Sequence, residues 1–146
     1  GVTSSSSSGT AAAVTFAVGS TTGGFGTIIG ANLIDNSNQG TKGLFELWLF
    51  AGSSAPAAPA DNAAFAPSSG EVADLVSVIP FNAAYIGNAT SSGTGGGNTV
   101  YPAPSLSVPF KCNAATSNLF GLLVVRNAYI PISAEIFTIG LQVRQD

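Results

Sequence analysis

The spacing of apolar residues predicts an all-β fold, an antiparallel β-sandwich of jelly-roll type with about eight strands and long Pro-, Gly- and Ser-rich loops. Three observations carry this. Short apolar runs recur between Gly, Pro and Asn turns without a long amphipathic helix. Phe137, Ile139, Leu141 and Val143 alternate with Thr138, Gly140, Gln142 and Arg144, the period-two pattern of a half-buried strand. Leu119–Val125 is apolar at nearly every position, as a strand covered on both faces requires. Pro131, which cannot donate to a ladder, marks a turn between these two runs, and they are expected to pair as neighbours on which earlier strands add.

Gly1–Thr10 is Ser-rich, with Val2 its one large apolar side chain, so burial cannot offset the entropy of ordering it. Residues 1–10 therefore read as a flexible arm, and residues 11–146 as a single domain. The arm's backbone at Val2, Thr3 and Ser4 is expected to add to an open strand edge of a neighbouring subunit. Ala11–Val18 alternates through Val14, Phe16 and Val18 as a first strand, closed by the glycine cluster from Gly19 to Gly26. Thr27–Ile34 is a second short run, ended by Asp35-Asn36-Ser37-Asn38-Gln39-Gly40, residues that tolerate turn geometry and cap it with their own side chains.

Leu44–Phe50 is a strong strand with apolar residues on both faces and Glu46 its one ionic residue; Glu46 is expected to reach solvent or an Asn, Ser or Arg partner. Ala51–Ser69 carries Pro56, Pro59 and Pro67, which forbid a regular ladder, and reads as an extended loop with one helical turn near Asp61–Phe65. Glu71–Ile79 reads as a short helix or turn running into a strand. Gly87–Thr99 is a flexible Gly- and Ser-rich tip; no Lys follows its glycines as a phosphate cradle would need. Val100–Lys111, with Pro102, Pro104 and Pro109, has the look of an edge strand.

Charged residues form 8% of the 146-residue chain, against about 25% in an ordinary domain. A surface solvated by hydroxyls, amides and backbone suits a protein packed against copies of itself or a partner, because few ions must be desolvated on assembly. Lys42, Lys111, Arg126 and Arg144 stand singly, and the net charge is −3, so clustered phosphate neutralisation is missing and no nucleic-acid partner is expected. Apolar runs are too short to span a bilayer and no basic-then-apolar leader precedes them, so a soluble chain without a membrane partner is expected.

The chain has no His and one Cys, Cys112, which removes imidazole acid–base work, His-liganded metals and multi-thiolate sites. Its seven acids are spread too evenly to nominate a pair for glycoside hydrolysis. No catalytic residue, metal ligand or cofactor is nominated, and the expectation is a non-enzymatic protein.

Three stretches resemble a group of tailed-bacteriophage virion structural proteins encoded near capsid genes. They are Leu33–Lys42; Phe45–Phe50 followed by Ala58–Phe65; and Glu135–Asp146, in that order along the chain. The resemblance implies a head decoration or cement protein made in the host cytoplasm and placed on the outer capsid surface, with the major capsid protein as partner. A tail, collar or fibre component and a host-surface glycan-binding module are the alternatives. A homotrimer at local three-fold positions is expected by analogy with other decoration proteins. Beside the arm, the candidate contacts are Ala55, Pro56, Pro59 and Phe65 in the Pro/Ala loop and Tyr101 and Pro102 on the edge strand.

Overall fold

Two antiparallel sheets face each other in the computed structural model, which describes residues 2–4, 13–37, 42–59, 64–86, 99–130 and 135–146. One sheet is ordered β2 (Val14–Ala17), β9 (Asn118–Val125), β4 (Phe45–Phe50) and β5 (Leu75–Phe81). The other is ordered β1 (Val2–Ser4), β10 (Phe137–Gln145), β3 (Phe25–Asp35), β7 (Thr99–Ala103) and β6 (Tyr85–Ile86), with β8 (Val108–Lys111) also on β3. The pairings nest: β1 with β10, β2 with β9, β3 with β7 and β8, β4 with β5. The chain is therefore an all-β antiparallel sandwich.

The interior follows from strand alternation. Phe45, Leu47 and Leu49 of β4 meet Leu119 of β9, Val14 and Phe16 of β2 and Ile79 and Phe81 of β5, and from the other sheet Ile28, Leu33, Tyr101 and Ile139. Burying large apolar side chains of this kind stabilises by about 1.5–3 kcal/mol each. Gly121 leaves room for this packing: a Cβ there would lie 2.8 Å from both Leu47 Cδ1 and Phe16 Cε2.

The run read as two-sided is β9, which lies between β2 and β4 and is buried from Leu119 to Leu122. Its expected pairing with the C-terminal strand is corrected by the structure. β9 and β10 belong to different sheets, because the connection through residues 126–136 is long enough to cross the sandwich rather than close a hairpin. β3 is one eleven-residue strand, longer than its apolar run. A bulge lies within it: Gln142 pairs with Gly30 and Val143 with Ile28, leaving Ile29 as the extra residue. Inward-facing positions switch there from Gly26 and Ile28 to Ala31, Leu33 and Asp35.

The proline-bearing run from Val100 to Lys111 is likewise two strands laid end to end on the same edge of β3. Between them Leu106 N donates to the bulged Ile29 carbonyl (3.0 Å), and Ser105 turns the chain with φ of 59°.

The helix-then-strand expectation holds. α1 (Ser69–Ala73) starts at a capping box, with Ser68 Oγ accepting from Glu71 N and Glu71 Oε2 accepting from Ser68 N, and leads into β5. Of the helical turn expected near Asp61–Phe65, Asp61, Asn62 and Ala63 lie outside the described residues, and Ala64 and Phe65 have irregular backbone. The glycine tip, residues 87–98, lies outside them as well.

Candidate assembly site

The candidate contacts do not converge on one surface. Ala55, Pro56, Pro59 and Phe65 lie on the β4–β5 connection, which folds over the outer face of the four-stranded sheet. There Phe50 and Leu122 point outward yet are buried, and with the loop they wall a groove of about 190 Å³. The loop is tied down from α1, where Glu71 Oε1 accepts from Ala57 N (2.9 Å). Hydrogen bonds from Ser68 and Ala57 hold the Glu71 carboxyl below its ordinary pKa.

Val2, Thr3 and Ser4 are β1, paired opposite Ile139, Thr138 and Phe137 of the same chain. The strand addition expected on a neighbour is thus made within the chain. The remaining residues of the arm lie outside the described ones.

Tyr101 is corrected outright as a contact residue: it is 1% exposed, because its odd-numbered position on β7 turns inward with Thr99 and Ala103. Pro102, the next residue, is half-buried on the outer face opposite Asn32. The prolines around Tyr101 signalled an edge; strand parity decides which side chains that edge exposes.

The most polar interior lies at the end of the sandwich where β3 stops and β7 and β10 begin. Asp35 is 0% exposed and accepts from Ser37 N (2.7 Å), Ser37 Oγ (2.9 Å) and Lys42 Nζ (3.3 Å). Lys42 Nζ also donates to the Ser37 carbonyl, and its own carbonyl accepts from Asn127 Nδ2. Tyr129 Oη donates to Glu135 and is hydrogen-bonded to Ser37. Asn36 and Ile136 exchange bonds across the same end, and Asn127 Oδ1 caps Leu44 N.

Under this network Phe45 packs edge-on against Tyr101 and Tyr129, 5.5 and 5.6 Å between centroids, and against Phe137 at 5.1 Å. Burial pushes Tyr101 up to about 12, helped by the charges of Asp35 and Glu135; burial and the Glu135 bond push Tyr129 up further. Tyr101 Oη and Thr99 Oγ1 are buried here without a hydrogen-bond partner among the described residues.

A second polar group sits on the outer face of the four-stranded sheet. Glu46 Oε2 accepts from Arg126 Nε (2.8 Å) and from Trp48 Nε1 (3.0 Å), and Arg126 lies 5.8 Å above the Trp48 ring, which meets Phe65 at 4.8 Å. The Arg126 bond holds the Glu46 carboxyl below its ordinary value; burial opposes it, and the Trp48 bond and the Arg126 charge add to the lowering. Of the alternatives open to Glu46, solvent or an Asn, Ser or Arg partner, the structure has the Arg. Cys112 is buried, and burial raises its thiol pKa.

Comparison with protein-family models, curated proteins and solved structures gives no match. Among the described residues no helix is long and apolar enough to cross a membrane.

Proposed function

We propose that this protein is a non-enzymatic structural component of a tailed-bacteriophage virion, a decoration protein that binds the outer capsid surface and stabilises contacts of the major capsid protein. The nested strand order supports a jelly-roll winding, in which one long hairpin is rolled into two sheets. The observation that carries the reading is where the ionisable side chains go. Asp35, Lys42, Tyr129 and Glu135 are engaged with one another or with Ser37 at one end of the sandwich, and Glu46 is held by Arg126 and Trp48. These groups hold loops in place, and much of the surface left to a partner is hydroxyl, amide and apolar.

The stretches that resemble virion proteins agree with this. Within Leu33–Lys42, Asp35, Ser37 and Lys42 make the buried polar end, and Phe45–Phe50 is a strand of the covered sheet, so the likeness falls on residues that build the domain. Adding purified protein to capsids lacking it tests the reading. Co-sedimentation with the capsids and a raised temperature of capsid rupture are expected; absence of both would refute it.

A further inference from the structure

The two outer faces of the sandwich differ. The four-stranded sheet is covered by its own β4–β5 connection, whereas among the described residues nothing covers the outer face of the six-stranded sheet. Its first row is Thr138, Ile34, Val100 and Tyr85, set side by side by the strand register. Val100 is 37% exposed and Tyr85 65%.

The middle of the face is flat. Asn32 stands opposite Gly140, and Gln142 opposite Gly30. Each amide lies across the glycine: a Cβ at either would fall 2.5 Å from the amide oxygen. The far end carries Thr27 and Pro109, the exposed Phe25, and the cations Lys111 and Arg144, with Asp146 3.7 Å from Arg144. Glu46, Glu71 and Asp74 lie with the opposite sheet and its connection.

We propose that a second copy of this chain packs on this face, the two faces related by a two-fold axis running across the strands near Gly30. Three features favour a copy over another occupant. A two-fold contact sets each patch against itself, and amides, which both donate and accept, are self-complementary. The axis also lays the Lys111 and Arg144 end of each copy over the Tyr85 and Val100 end of the other, so like charges stay apart and an exposed aromatic ring meets a cation. Finally, an eleven-residue β3 flanked by β10 and the β7/β8 run presents roughly 600 Å² at ordinary strand rise and spacing. Two such faces bury about 1,200 Å², the lower bound of a specific interface, so the pair is a concentration-dependent dimer. This contact follows from the face itself and does not depend on a virion role.

The test is sedimentation equilibrium on the full chain with three variants, each checked for unaltered circular dichroism. Wild type is expected to approach twice the 14.5 kDa chain mass as concentration rises. Val100→Lys and Tyr85→Lys each set a cation against the Lys111 and Arg144 end of the other copy and are expected to weaken the dimer at least tenfold. Val72→Lys makes the same change at a more exposed valine on α1 and should leave it intact. A monomeric wild type, a trimer, or a dimer equally stable in all three variants would overturn the proposal.

Discussion

Lys42 Nζ lies 3.3 Å from Asp35 Oδ2, with the two side chains 9% and 0% exposed, so the loop between β3 and β4 contains a buried ion pair. Removing one partner of such a pair leaves an uncompensated charge and costs about 3–5 kcal/mol. Lys42→Met is expected to lose about 3 kcal/mol in denaturant unfolding, since two Ser37 bonds still serve Asp35. Adding Asp35→Asn should recover part of that loss; a purely additive double variant would show that the two side chains are not coupled.

Tyr101 places a hydroxyl in the core without a hydrogen-bond partner among the described residues. Tyr101→Phe removes an unsatisfied polar atom at nearly constant volume and is expected to stabilise the domain by about 1 kcal/mol. The pH dependence has a definite sign. The folded pKa, about 12, stands above the ordinary phenol value of 10.0, so the stability attached to the neutral phenol is complete below 10 and lost as pH rises toward 12. Phenolate absorbance from Tyr101 and Tyr129 should accordingly appear together with alkaline unfolding. A destabilised Tyr101→Phe protein would mean that the hydroxyl has a partner.

Trp48 is the single tryptophan, and its Nε1 donates to Glu46 Oε2. The folded Glu46 pKa is depressed, chiefly by Arg126, so its contribution to stability is present above the unfolded value and lost as pH falls through the folded one. Trp48 fluorescence is expected to change with a midpoint below that of an ordinary glutamate. Arg126→Ala should move that midpoint upward; an unmoved midpoint would separate Trp48 emission from the Glu46–Arg126 pair.

Gly121 lies opposite Val14 and Leu49 in the middle of its sheet, against Leu47 and Phe16. Gly121→Val is expected to destabilise by roughly 1–3 kcal/mol through overpacking, despite the higher strand propensity of valine. Thermal unfolding at or above the wild-type midpoint would show that the two sheets can separate to admit it.

These residues also show what was legible in the chain. Leu119–Val125 and Phe45–Phe50 announce covered strands because both of their faces are apolar, and Phe137–Val143 announces a half-buried one by its alternation. Partner choice was not legible, since the chain from Arg126 to Ile136 can close a hairpin or cross between sheets with the same residues. Nor was the polar end: Asp35, Asn36 and Ser37 read as a turn by their local preferences, and only tertiary packing puts Lys42, Tyr129 and Glu135 around them. The long β3 was hidden because the bulge at Ile29 breaks its alternation midway.

The most direct test of the proposed role is a reconstruction of the intact virion at side-chain resolution. Density fitting the sandwich, with Trp48 and Tyr129 identifiable, is expected on the outside of the head in contact with the major capsid protein. Finding that density in the tail, or nowhere in the particle, would contradict a capsid decoration protein.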